Sequence, residues 1–206
     1  MLIDLLVEGF QASWLPSSLL LIAPGIAALL AAQERFSNTW IGYAAAAGAV
    51  SWLRFTGIVG SWPLLGVALA LAAAGVVLLA ARVDTGRVVG SIGGMLAGAA
   101  GALLWQPLVG RHLGLLLVDL KGRGFPGAFN LVAYLLGVLW WLIAAAMVLG
   151  AQAWLGRKGP TRLSGMVGRV KMVQSWAGGS ALAVLALITA LGANDAVASR
   201  LIEWSL

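Results

Sequence analysis

Long apolar runs separated by short polar or glycine-proline gaps set the pattern of this chain. A helix that crosses a bilayer needs roughly 20 mostly apolar residues, and the pattern predicts six such helices. They cover residues 14–33, 40–60, 64–81, 88–118, 129–155 and 172–193. Ser61-Trp62-Pro63 makes a tight turn before the third. An earlier apolar stretch from Ile3 carries Asp4 and Glu8, so it reads as a half-helix at an interface. Arg82, Asp84, Gly86 and Arg87 form one loop, and residues 119–127, rich in glycine and basic side chains, form another. Residues 156–171 are the longest basic gap, with Arg157, Lys158, Arg162, Arg169 and Lys171. The tail, 194–206, sets Val197, Leu201, Ile202 and Trp204 against Asp195, Arg200 and Glu203, the spacing of a short amphipathic helix on a membrane surface or, equally, of an ordered terminal turn.

Two places break the apolar pattern. Trp105-Gln106-Pro107 opens a polar interruption that continues through Arg111 and His112, inside the fourth run. A fainter version, Ser13-Trp14-Leu15-Pro16-Ser17, stands at the start of the first. Proline in a helix interior removes one backbone hydrogen bond and clashes with the preceding turn. In lipid, the freed backbone groups must find other partners. Three helices followed by three, an odd number per half, place the halves in opposite orientations, and the two Trp-x-Pro breaks then fall at corresponding places. The expected fold is an all-α integral membrane domain of two inverted three-helix repeats, about 1–82 and 88–193, with helices one and four broken at proline.

Composition supports the membrane reading. The hydrophobic fraction is 61%, the charged fraction 10% and the mean hydropathy +0.97, whereas a soluble domain carries about 25% charged residues. The net charge of +6 comes from basic residues in the gaps, where they act as topology signals rather than a nucleic-acid surface. Arg35, Arg82, Arg87, Arg157, Lys158, Arg162, Arg169 and Lys171 fall on one side, and Lys121, Arg123 and Arg200 on the other. The positive-inside rule then places both termini on the outer side of an inner, cytoplasmic membrane. The first residues lack the basic region of a cleavable signal peptide, so the first apolar segment is expected to be retained. With no cysteine, the chain has no disulfide, thiolate metal site or dithiol chemistry of its own.

Small residues and tryptophans fill in the packing. Gly90, Gly94 and Gly98 lie four apart, on one face of the fourth helix, where they allow close helix approach. Trp14, Trp40, Trp62, Trp154 and Trp176 fall near predicted helix ends, as an interfacial belt does. Trp140 and Trp141 fall deeper, to fill the core or line a cavity. Arg54 sits mid-span by this count, where a guanidinium needs carbonyls, a carboxylate or an anionic ligand, or snorkels to the interface if the helix is shifted. His112 is open to two readings, a proton-handling imidazole or a side chain reaching the headgroups where the helix ends. With no second histidine and few carboxylates nearby, no metal site and no cofactor are expected. No hydrolase, kinase, phosphate-loop or zinc signature is present, so no enzymatic activity is expected.

The two breaks resemble those of the cytochrome c biogenesis transmembrane family, the CcdA-like and DsbD-like proteins. Here the fourth helix gives Gly101 and then Trp105-Gln106-Pro107-Leu108-Val109-Gly110-Arg111-His112-Leu113-Gly114. The first gives Ser13-Trp14-Leu15-Pro16-Ser17-Ser18 and later Ala23-Pro24-Gly25, one residue late for the family pattern. Ala133-Tyr134-Leu135-Leu136-Gly137 is similar to the family's fifth helix. The resemblance implies two proline-broken helices around a central, alternately accessible site. It also places Ser17 and Leu108 where relatives carry the cysteines of a thiol–disulfide relay, a reaction this chain cannot perform alone. The candidate central lining is therefore Pro16, Ser17, Arg54, Gln106, Pro107, Leu108 and His112.

Three functions follow as expectations. The first, by the resemblance, is an accessory factor for maturation or assembly of an exported redox protein. The second is a transporter of a small solute or ion on the same scaffold, with Arg54 favouring an anionic solute. The third is a structural subunit of a larger membrane complex. The expected partners are the lipid bilayer and, on the first reading, another membrane protein or an exported redox protein. Polar lining that converges on Pro16 and Pro107 favours transport, and a dry centre favours a subunit role.

Overall fold

The computed structural model describes residues 2–33, 36–57, 64–80, 87–105, 125–158, 161–193, 196 and 199–200. Among these are eight helices and no strand: α1 (Leu2–Ala12), α2 (Pro16–Ala32), α3 (Phe36–Phe55), α4 (Leu64–Ala80), α5 (Arg87–Leu104), α6 (Phe125–Val138), α7 (Trp140–Lys158) and α8 (Thr161–Ala190). The early apolar stretch is a helix of 11 residues, α1, about half the length of a membrane span. It stops at a short turn because Leu15, which precedes Pro16, is held extended at φ −77° and ψ 141°, the region a following proline enforces. Pro16 then opens α2, where its missing N–H costs nothing.

The fifth predicted helix is two helices. α6 and α7 meet at Leu139 with a bend of 58°, and no proline stands there. Tertiary packing supplies the cause. Gly137, in the last turn of α6, lies against the α1 backbone at Gly9 and Phe10. Beyond the bend, Trp140 meets Phe10 edge-on at 5.7 Å between ring centroids, and Trp141 meets Trp14 at 4.8 Å. The break between α1 and α2 and the bend between α6 and α7 are thus stacked on one another. Trp140 and Trp141 are half-buried and pack on aromatic rings.

The sixth helix is longer than its apolar run. α8 begins at Thr161 rather than 172, so most of the basic gap is helical. Arginine, lysine, methionine and leucine are good helix formers, and the breaker pair Gly159-Pro160 lies before them. Of the fourth predicted helix, α5 is the part before the expected break at Pro107: it ends at Leu104, and residues 106–124 lie outside the described ones. Most of the 194–206 tail does too.

By length and composition, α8 can cross a membrane through its stretch Ser164–Ala190, and the bent pair α6–α7 qualifies as one further span. Ser18–Ala32, Leu64–Ala80 and Val88–Leu104 are apolar but shorter.

The helices pack through small residues. α2 packs on α5 and α8, and α4 packs on the same two, which closes a ring α2–α5–α4–α8. α3 lies outside this ring, parallel to α5, and the two backbones nearly touch. A β-carbon at Gly42 would overlap the Ser91 carbonyl, one at Gly94 that of Thr39, and one at Gly98 that of Tyr43. The Thr39 hydroxyl donates to the Gly90 carbonyl at 3.1 Å across the same seam. The Gly90, Gly94 and Gly98 face therefore serves close approach, as its spacing predicts. α2 and α8 are antiparallel and cross at Gly178, whose β-carbon would stand 2.5 Å from the Ala31 nitrogen. There Ser175 donates to the Ala31 carbonyl at 3.2 Å.

Candidate functional site

The two Trp-x-Pro sequences both mark helix termini, and their chemistry can be followed from the prolines. A proline at position i has no N–H for the carbonyl at i−4. Pro16 therefore withholds a partner from Ala12. That carbonyl accepts instead from the Leu15 N–H at 3.0 Å and from the Ser18 hydroxyl at 2.7 Å. Ser13, also buried, donates to the Phe10 carbonyl at 2.6 Å. Every one of these bonds stays within the break.

Pro107 likewise has no N–H for Leu103, so an α-helix carried past Leu104 could not close on that carbonyl. Arg54 fills the place. Its Nη1 donates to the carbonyls of Ala102 and Leu103, each at 3.1 Å, and of Trp105 at 2.5 Å. A guanidinium suits this role because it is a permanent cation with rigid donors, and the C-terminal end of a helix carries partial negative charge. Gly57, at φ +79°, ends α3 immediately afterwards, which leaves Arg54 in the last turn of α3, level with the end of α5. Of the needs the sequence allows for Arg54, carbonyls are the one it meets.

Trp105 closes the same corner. It is 1% exposed, with Phe55 edge-on at 5.9 Å and Tyr134 stacked at 6.4 Å. Further into the bundle, Pro24 lies inside α2 beside Gly25, whose β-carbon would stand 2.6 Å from Leu142 of α7. The Tyr43 hydroxyl of α3 donates to the Leu21 carbonyl in that turn. Gly101 admits it: a β-carbon at Gly101 would lie 2.7 Å from the Tyr43 oxygen and 3.4 Å from the Leu21 carbonyl oxygen. Gly101 is four residues before Trp105, and Leu21 is five after Pro16, so the two breaks face the same end of the α2–α5 pair.

Of the expected lining residues, Arg54 is placed at this corner, and Pro16 and Ser17 form the first turn of α2, described by backbone alone. Gln106, Pro107, Leu108 and His112 lie outside the described residues. Tyr43, Ser18 and Ser51 are the polar residues that sequence reasoning passed over. For Tyr43 and Ser51 the signal was present as the stripe Thr39, Gly42, Tyr43, Ala47 and Ser51, small or polar residues at helical spacing, all of them buried on α3.

Some donors in this corner are unmet among the described residues. The Ser51 hydroxyl and the Trp52 and Trp105 indole nitrogens are buried with no hydrogen-bond partner. A buried unmet donor costs about 1–3 kcal/mol. Ser51→Ala removes one at nearly constant volume and is expected to raise stability by about 1 kcal/mol. A denaturation midpoint unchanged or lowered would show that the hydroxyl has a partner.

Comparison with protein-family models, with curated proteins and with solved structures returns no match to this chain.

Proposed function

We propose that this chain is an integral membrane protein of six spans in two inverted repeats, acting as an accessory factor in the maturation or assembly of an exported redox protein. Its support for the membrane is the character of the outer faces. α4 buries Val67, Leu71, Ala74 and Leu78, yet Leu65 is 64% and Val76 67% exposed on its other side. A helix apolar all round is either deep in a core or in lipid, and half of α4 faces away from the core. Alternation of direction adds support. α3 and α5 are parallel, while α8 runs antiparallel to α2 and α4, as in a chain where α2, α3, α4, α5, the bent pair α6–α7 and α8 each cross once.

The observation that carries the accessory role is the sealed corner. Arg54 and Ser18 satisfy the carbonyls freed at the two breaks from within the chain. The core around them is apolar, leucine and alanine with the rings of Tyr43, Trp105 and Tyr134. Such a centre suits a protein that holds partners at its surface rather than one that passes cargo through itself. The redox partner is drawn from the resemblance of the Trp-x-Pro-x-x-Gly-x-x-x-Gly frame. Deletion of the gene is expected to lower the amount of mature exported redox enzymes, haem proteins first, with recovery when the wild-type chain is supplied. Unchanged levels across that set would remove this reading.

A transport reading draws on the unmet donors beside Arg54. A carboxylate or another acceptor-rich solute would supply the acceptors that the Ser51, Trp52 and Trp105 groups lack. Flux of small anions in sealed proteoliposomes, abolished by Arg54→Ala in protein that is still folded, would favour it over the accessory role.

A further inference from the structure

The basic end of the α7–α8 hairpin is not used by anything above. Between Asp119 and Asp195 the sequence contains no acidic residue, so the net charge of this segment is strongly positive. Gly156 of α7 faces α8: a β-carbon there would stand 3.3 Å from Val167 Cγ1 and 3.8 Å from Lys171 Nζ. That contact brings the Lys171 ammonium beside the last turn of α7, which carries Arg157 and Lys158, with Arg169 two residues before Lys171 on α8. Arg157 spends its Nε on the Ala153 carbonyl at 3.3 Å, which leaves its Nη groups as donors. Arg157, Lys158 and Arg169 are exposed.

Apolar side chains stand among these cations. Met166 is 67% and Val173 68% exposed, with Met172 and Val170 beside them and Trp154 and Leu155 on α7. Helix length fixes the depth. The 30 residues of α8 extend about 45 Å at the α-helical rise, against roughly 30 Å of hydrocarbon. About ten residues must stand outside the apolar layer, and counting back from Ala190 brings the boundary to the level of Val170 and Lys171. Cations at phosphate depth, with methionine, valine and tryptophan just below, match an anionic lipid in both charge and polarity.

We propose that this hairpin end is a binding site for anionic phospholipid. Arg157, Lys158, Arg169 and Lys171 hold the phosphate, and Met172, Val173 and Trp154 take the upper acyl chain. The inference rests on the membrane reading. It is tested on the full chain reconstituted in vesicles that carry spin-labelled phosphatidylglycerol or spin-labelled phosphatidylcholine, by comparing the motionally restricted fraction of each. Wild type is expected to hold the anionic lipid several-fold more. Each neutralised cation should lower that preference by up to about fivefold, so R157Q/K158Q/R169Q/K171Q should hold both lipids alike. High salt on the wild type should erode the preference without any substitution. Equal restriction of both lipids by the wild type would overturn the proposal and leave the membrane reading intact. A preference that survives both the fourfold change and high salt would also overturn it. Restriction of neither lipid would remove the membrane reading and the proposal together. Loss of preference only when an acidic soluble protein is added would mark the site as a protein dock instead.

Discussion

Gly98→Ala is expected to lower the thermal unfolding midpoint by roughly 10 °C, from a destabilisation of about 3 kcal/mol at the upper end of overpacking penalties. The reason lies in what the new methyl group would strike. At Gly98 it meets the Tyr43 carbonyl oxygen, a backbone atom of a neighbouring helix, and no rotamer change can move that atom aside. Relief requires α3 and α5 to separate. Separation would also lengthen the Thr39 to Gly90 bond and draw Tyr43 away from Leu21. One methyl group therefore loosens the seam and the α2 joint together. Gly48→Ala is the internal control. It lies on α3, the partner helix of the seam, but nothing stands within 4 Å of its β-carbon position. Removing a helix-interior glycine there should raise stability by up to about 1 kcal/mol. Tryptophan fluorescence during a thermal ramp reads both. Equal midpoints for the two variants would mean that α3 and α5 are not in backbone contact.

Arg54→Ala is expected to cost about 2–3 kcal/mol, since hydrogen bonds from a charged donor contribute more than neutral ones. The carbonyls of Ala102, Leu103 and Trp105 would lose their shared donor, and Pro107 cannot replace it at Leu103. Arg54→Lys should recover part of the loss. An ammonium carries three donors on a flexible stem but lacks the planar fork. The signature of this role is local: amide exchange should accelerate in the last turn of α5 and at Trp105 more than elsewhere. If Arg54→Ala left stability and exchange unchanged while abolishing solute binding, Arg54 would be a ligand residue and the capping role would fail.

The two variants test different halves of one arrangement. The glycine seam sets how near α3 comes to α5. That nearness is what lets Arg54 reach the end of α5, because both contacts are made by one parallel helix pair. A combined variant should therefore lose less than the sum of the two, as coupled neighbours do.

How much of this was legible in the sequence varies from residue to residue. The proline at 107 alone states that Leu103 lacks an i+4 donor, and Pro16 states the same for Ala12. The Gly90-Gly94-Gly98 spacing alone states that something comes close to that face. Helical character follows from the apolar runs, and the stop before Thr161 from Gly159-Pro160. These are local consequences of covalent geometry: a missing N–H, a missing β-carbon, a fixed φ.

What answers each local need was decided by the tertiary structure. Nothing near Leu103 in sequence identifies Arg54 as its donor, since the two are brought together by the α3–α5 seam. The bend at Leu139 has no proline to announce it and arises where α1 presses on Gly137 and the Phe10, Trp14, Trp140 and Trp141 rings stack. The helical form of the basic segment after Thr161 was hidden because charge marks where a chain leaves lipid, not where a helix ends. The sequence by itself determined which backbone groups would be orphaned and which faces would be bare. Only the packed chain could decide the partners, because hydrogen bonds and close contacts between helices depend on distances that no local pattern encodes.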